Sequence, residues 1–262
     1  MDNILETIAA HKKLEVAYKK RAFPVSRLEH MALQQRPALP FDAFIGDEQK
    51  TGIIAEFKRR SPVKGMINDT ADVSEVTSGY ARHGASALSV LTDEDFFSGG
   101  SYDFSRARRN EHIPLLRKDF IIDEYQVVET RAMGADVLLL IAAILTPRQV
   151  QGLSRLAVSL GLQVLLEVHA AGELGHYCPD VAAVGVNNRD LKAFTIDMQH
   201  SVALYPQLPP EALKISESGI RSAADVRLLR QVGYHGFLIG SLFMKEPAPE
   251  QAFAHFVKTL ES

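Results

Sequence analysis

Ionisable side chains collect at the ends of short apolar runs in this sequence, where a charge is costly unless something uses it. In IIAEFK, residues 53–58, Glu56 and Lys58 stand two positions apart. An extended chain turns both to the same side. Other apolar runs end in the same way. One closes on Thr92, one on Arg117, Lys118 and Asp119, and one on Glu167. Another closes on Asn187, Asn188 and Arg189, and another on Ser216, Glu217 and Ser218. Charged residues are seldom fully buried without a partner. At any single run an internal salt bridge explains them as well as function does. Repeated over several runs, the lysines and glutamates read as proton donors and acceptors gathered at one place.

A second group is built for an anion. SESGI (216–220) and FLIGS (237–241) end consecutive apolar runs with Gly219 and Gly240, which permit close backbone approach, while Ser218 and Ser241 add hydroxyls. Ser222 is placed to cap a following helix, whose N-terminus would favour a phosphate. Each is an ordinary turn by itself; the two together point to an anion site.

The elements that would position these groups alternate. Eight apolar runs lie near residues 52–58, 87–92, 113–120, 136–143, 163–168, 182–188, 213–219 and 236–241. Segments with helical spacing separate them, and Gly84, Gly134, Gly161 and Gly233 sit just before the next run, as glycine does past a helix C-terminus. This predicts an α/β fold, a (β/α)8 TIM barrel over residues 51–262, with the chemistry at the C-terminal ends of the strands. An open doubly wound sheet is the rival. Residues 1–50 read as an N-terminal helical extension, with helices over 4–20 and 26–35 ended by Pro24 and by Pro37 and Pro40. We expect one domain, with the extension as an appendage.

Composition narrows the function. Of the 262 residues 46% are hydrophobic, enough for a large core, and the formal charge of −3 gives no sign of a nucleic-acid partner. Lys12, Lys13, Lys19, Lys20 and Arg21 read as the wet side of a helix. Cys178 is the only cysteine, which fits a reducing cytoplasm without disulfides. The longest apolar stretch, DVLLLIAAILTP, falls well short of the ~20 residues that span a bilayer, and the start of the chain lacks the pattern of a secretory leader. The nine histidines show no ligand spacing, so no metal site is expected.

IIAEFKRRSPVKG, LRKDFIIDEYQV, LLEVH, VGVNNRDL, ISESGI and FLIGSLFM, in this order, resemble the indole-3-glycerol phosphate synthase family of tryptophan biosynthesis. The resemblance extends to ILETIAAHKKLEVAYKK near the start. It implies conversion of 1-(2-carboxyphenylamino)-1-deoxyribulose 5-phosphate to indole-3-glycerol phosphate with loss of CO₂ and water. It implies no cofactor, no metal, a small phosphorylated substrate as the only partner, and a cytoplasmic monomer. By motif, Lys118 would be the general acid of ring closure and Glu167 the base of the later dehydration. Lys58 would contact substrate and also donate a proton, Glu56 would orient and tune the lysines, and Asn187 would hold the sugar hydroxyls. Arg189 would serve the anthranilate side. Ser61, Ser218, Gly219, Gly240 and Ser241 would hold the phosphate, and Phe97, Phe120 and Leu191 would wall the ring.

Three features depart from the family pattern, one being HAAGELG (169–175), which lacks the acidic run common after strand 5. Val63 stands where the loop usually has serine, and Phe57, inside the E-x-K strand, should face the outer helices. The chemistry asks for a lysine of depressed pKa, which two neighbouring lysines would provide. Lys64 is expected in solvent, within a loop over the phosphate end. The competing readings are another phosphate-binding barrel, such as phosphoribosylanthranilate isomerase with its Cys and Asp pair, and a degenerate barrel kept for binding. Cys178 lies outside the eight runs, and Lys118 and Glu167 are both present.

Overall fold

The structure, a computed structural model, describes residues 4–110, 112–190 and 195–262. The chain begins with α1 (Ile4–Ala22), α2 (Val25–Leu33) and α3 (Phe41–Gly46). Eight strands follow: β1 (Ile53–Phe57), β2 (Ala87–Leu91), β3 (Leu115–Lys118), β4 (Val137–Ile141), β5 (Gln163–Val168), β6 (Ala183–Asn187), β7 (Leu213–Glu217) and β8 (Gly236–Ile239). They pair in parallel and close, β1 bonding to both β2 and β8. The open-sheet alternative is therefore excluded.

Helices α4 (Val73–Arg82), α5 (Ser101–Asn110), α6 (Glu124–Ala132), α7 (Pro147–Ser159), α8 (Gln199–Leu204), α9 (Ala223–Val232), α10 (Ser241–Met244) and α11 (Pro249–Glu261) follow the strands, and a 3₁₀ segment, Ala171–His176, follows β5. Asp72, Asp123, Thr146 and Ser222 cap α4, α6, α7 and α9 with their side chains, the last two as reciprocal capping boxes. Gly233 ends α9 at φ 117°, a left-handed turn that glycine adopts without strain.

Alternation along the strands sorts the side chains. Ile53, Ala55 and Phe57 face outward into the cluster beneath the helices, as expected for Phe57. Ile54, Leu116, Leu165 and Ile215 face the bore. Two residues further along these strands stand Glu56, Lys118, Glu167 and Glu217. The strand period of two therefore places all four ionisable groups one layer above an apolar plug.

The extension is part of the barrel rather than an appendage. Phe41 and Ile45 of α3, a helix that the sequence pattern did not disclose, join the bore cluster at its lower end, where a Cβ on Gly236 would meet Ile45. Asp136, just before β4, accepts from Arg36, Arg108 and the N–H groups of Leu39 and Leu115, tying the linker to the barrel floor. Val16, Leu28 and Ala32 pack on Tyr125, Val128 and Ala132 of α6. At the other end Leu5 and Ile8 of α1 close over the bore.

Room for the upper layer depends on glycine. Gly185 of β6 pairs with Glu167 in register, and a Cβ there would overlap the carboxylate of Glu217. Gly185→Ala should lower stability by ~1–3 kcal/mol. Gly152→Ala, in open space within α7, should raise it by ~0.5–1 kcal/mol. Urea denaturation of the two variants checks both signs.

Candidate active site

A cavity of about 530 Å³ opens at the C-terminal ends of the strands. Its floor is an ion cluster. Lys118 Nζ donates to Glu167 Oε2 at 2.7 Å and to Glu217 Oε2 at 3.2 Å. Asn187 Nδ2 donates to Glu167 Oε1 at 2.9 Å, and its own Oδ1 accepts from the Arg189 N–H. The ring Nε2 of His169 lies 3.2 Å from the same Glu167 Oε1. Lys58 Nζ donates to Glu56. Glu56, Glu167 and Glu217 are all buried.

Burial and charge compete at each of these groups. Burial alone would push Lys118 toward the neutral amine. Glu167 first, then Glu217 and Glu56, outweigh it and raise its pKa, so Lys118 is an ammonium. This reverses the expected depression: its neighbours in space are carboxylates. Burial pushes Glu167 up, but Lys118 and then His169 hold it well below the usual carboxylate range. His169, whose burial pulls the other way, is raised to about 9 by Glu167 and Glu173. Glu217 goes up to about 7, driven by burial and then by Glu167, with Lys118 opposing. Of these carboxylates Glu217 is the one poised to change charge near neutrality.

The far wall has the expected glycine turns. Ser218 and Gly219 are both left-handed, at φ 66° and 84°, and Asn188 Nδ2 donates to the Ser218 carbonyl at 3.0 Å. Such a conformation at serine costs ~1–3 kcal/mol and persists only when its surroundings impose it. A side chain at Gly240 would run into Glu56. The start of α9 is less open to an anion than the sequence suggests, because Asp225 Oδ2 already accepts from the N–H groups of Arg221 and Ser222. That leaves Gly219, Gly240 and Ser241 facing the cavity. Cations ring this end. Lys64, Arg189, Arg221 and Lys245 all line it, and Lys64 is lowered by burial and then by Arg189, Lys58, Lys245 and Arg221. Lys64 is exposed, yet it borders the cavity rather than standing apart in solvent. Ser61 lines it as well, in a small hairpin that pairs Arg60–Ser61 with Gly65–Met66.

The opposite wall is apolar. Phe97 and Phe120 face each other with ring centroids 5.9 Å apart, beside Ile4, Leu5 and Ile8 of α1. The structure thus brings Glu56, Lys58, Ser61, Phe97, Lys118, Phe120, Glu167, Asn187, Arg189, Ser218, Gly219, Gly240 and Ser241 to one cavity. Leu191 lies outside the described residues.

Sequence reasoning passed over several contributors. Glu217 stood at a strand end but was left out of the site, although its distance from Ile215 matches that of Glu56 from Ile54. His169 gave no signal beyond following Glu167. The α1 wall was missed with the extension, and Lys12, taken as part of a wet face, is fully buried among carboxylates. Lys13 and Arg21 are indeed exposed.

Glu217 also makes a stability prediction. Its pKa is higher in the folded than in the unfolded chain, so the native state holds the extra proton and stability falls as pH rises from about 4.5 to about 7. Relative to Glu217→Gln, the unsubstituted protein should lose on the order of 3 kcal/mol across that window. Parallel denaturation curves at all pH values would remove Glu217 from the account.

The family described as "Indole-3-glycerol phosphate synthase" matches residues 5–256. The chain is 44% identical to the indole-3-glycerol phosphate synthase of Bacteroides thetaiotaomicron, with 100% of both chains covered. It is 41% identical to that of Bordetella pertussis, over 98% of this chain and 100% of the relative. Among solved structures it resembles the tryptophan synthase alpha subunit of Legionella pneumophila str. Paris, with a TM-score of 0.61 and 14% identity over 84% of this chain and 96% of that one. The 3-hexulose-6-phosphate synthase of Salmonella typhimurium gives a TM-score of 0.61 at 13% identity, over 80% and 98%. At such identities these two likenesses concern the barrel alone. The match from residue 5 to residue 256 and the identity to full-length relatives agree: the chain belongs to the indole-3-glycerol phosphate synthase family.

Proposed function

We propose that this barrel mouth closes, decarboxylates and dehydrates 1-(2-carboxyphenylamino)-1-deoxyribulose 5-phosphate to indole-3-glycerol phosphate, with Lys118 as acid and Glu167 as base. The observation that carries this reading is the half-buried Lys118 ammonium bridging Glu167 and Glu217 at the floor of a cavity. In the first step the ring carbon bearing the carboxylate attacks the ketone carbon. A C–C bond forms, the carbonyl π pair moves to oxygen, and the Lys118 ammonium protonates it. Loss of CO₂ returns the C–C electron pair to the ring and restores aromaticity. Lys58 then protonates the hydroxyl, which leaves as water, and Glu167 removes the last proton. Glu167 can act as a base because Lys118 and His169 keep it ionised. Lys118 is a weak acid at rest, so it transfers its proton by position, as the growing alkoxide competes with the carboxylates for it.

The ends of the cavity suit the ends of the substrate. Phosphate would sit at Ser61, Ser218, Gly219, Gly240 and Ser241, within reach of Lys64, Arg221 and Lys245, while Arg189 would serve the anthranilate side. The aryl ring would lie against the wall that Phe97 and Phe120 form. Lys58, steered by Glu56, would contact the substrate between them, and Asn187 would hold its hydroxyls. Lys64, Arg221 and Lys245 would speed capture of an anionic substrate, an effect that salt weakens. Because α1 supplies one wall, residues 1–50 and 51–262 act as one domain. A lone cysteine suits a reducing cytoplasm, and we read the protein as a monomer there. Among the described residues no helix is long and apolar enough to cross a membrane.

The protein contains no tryptophan, so indole fluorescence reports product against a dark background. Incubation with the carboxyphenylamino substrate should generate that signal, and its absence from folded protein would refute the assignment. Glu167→Gln keeps the shape and loses the base. It should bind substrate while kcat falls by ~10²–10⁴-fold; an unchanged kcat would strip Glu167 of its role.

A further inference from the structure

Helix α1 sends one ammonium into the top of the barrel. Lys12 is 0% exposed, and its Nζ lies 2.8 Å from Glu15 Oε2, 3.0 Å from Asp93 Oδ2 and 2.9 Å from Asp119 Oδ1. Asp93 and Asp119 are themselves buried. Each also holds the backbone of an aromatic residue. Asp93 Oδ1 accepts from the N–H groups of Phe96 and Phe97, at 2.8 and 3.2 Å. Asp119 Oδ1 accepts from the Phe120 N–H at 2.8 Å. Its other oxygen takes hydrogen bonds from Thr92 at 2.6 Å and Arg117 at 3.0 Å. One ammonium therefore joins the two carboxylates that set where Phe97 and Phe120 begin. Leu5 and Ile8 belong to the same buried stripe of α1 as Lys12 and line the cavity beside those rings.

A helix could be fastened to a barrel more simply with apolar side chains, because burying charges carries a desolvation penalty that their attraction often fails to recover. What the charged arrangement adds is direction: three elements meet at one point, and the aromatic wall is fixed by that meeting. We propose that Lys12 is a positioning residue for the aryl end of the substrate, setting the placement of the Phe97–Phe120 wall through Asp93 and Asp119. This rests on the reading of the cavity given above.

The test separates the two ends of the ligand. Indole-3-glycerol phosphate fills both, and glycerol 3-phosphate fills the phosphate end alone. In Lys12→Met the product should bind about tenfold more weakly or worse, ~1.4 kcal/mol, with a matching rise in KM and a smaller change in kcat. Glycerol 3-phosphate should keep its affinity to within about twofold. Should Lys12→Met fail to fold, Lys12→Met with Asp93→Asn relieves the unpaired charge and carries the same expectation. Equal weakening of both ligands would make Lys12 a structural anchor only, and no weakening of either would deny it any role. Both results overturn the proposal. Product binding and turnover by the unsubstituted protein test the function separately. A crystal structure of the variant tests the wall without reference to activity, and unchanged positions of Phe97 and Phe120 would overturn the proposal too.

Discussion

An ammonium half-buried at the end of a barrel strand needs anionic partners, and most of the upper half of this protein follows from supplying them to Lys118. Glu167 and Glu217 come from strands that meet Lys118 only because the sheet closes. Fitting a second glutamate beside the first requires Gly185, and fitting Glu56 requires Gly240. The cost of gathering them in a dry place appears at Glu217, whose carboxyl is pushed up to about 7 by burial and then by Glu167, with Lys118 opposing.

Consecutive residues of β3 and its exit serve different neighbourhoods. Lys118 faces the cavity, while Arg117 is buried on the outer side against Glu129 and Thr130 of α6. Asp119 links Arg117 to Lys12 of α1. The acid is thus seated between two ion networks. The inner one is exposed to substrate and includes a group poised to titrate. The outer one is sealed, with Asp119 held well below the usual carboxylate range against its own burial by Arg117 and Lys12. Reactive charge sits on a framework of unreactive charge, which keeps the geometry fixed while protons move.

Much of this was legible in the sequence because strands have a period of two. Ile54 and Glu56, Leu116 and Lys118, Leu165 and Glu167, and Ile215 and Glu217 repeat one pattern, an apolar plug followed by an inward charge, and the eight strands and their glycine-ended helices follow from the same alternation. The failures have a common cause. Lys12 lies among basic neighbours, yet Leu5, Ile8, Lys12 and Val16 share the buried stripe of α1, while Leu14 and Tyr18 are exposed. The stripe could have marked Lys12 as buried. Nothing local could have named Asp93 and Asp119 as its partners, because they lie far along the chain. The pKa of Lys118 was read in the wrong direction for the same reason: Lys58 is the lysine that motif logic places nearby, and Glu167 and Glu217 are the groups that closure puts in contact. Helix α3 escaped because FDAFIG is too short to show a period.

The claim at the centre is that the Lys118 ammonium is the proton donor, and not merely the counter-ion that lets two glutamates be buried. Single-turnover measurement on Lys118→Met, with product affinity determined on the same sample, addresses it directly. The account predicts a rate lower by ~10²–10⁴-fold in folded protein that still binds indole-3-glycerol phosphate. A near-normal rate in that variant would contradict it.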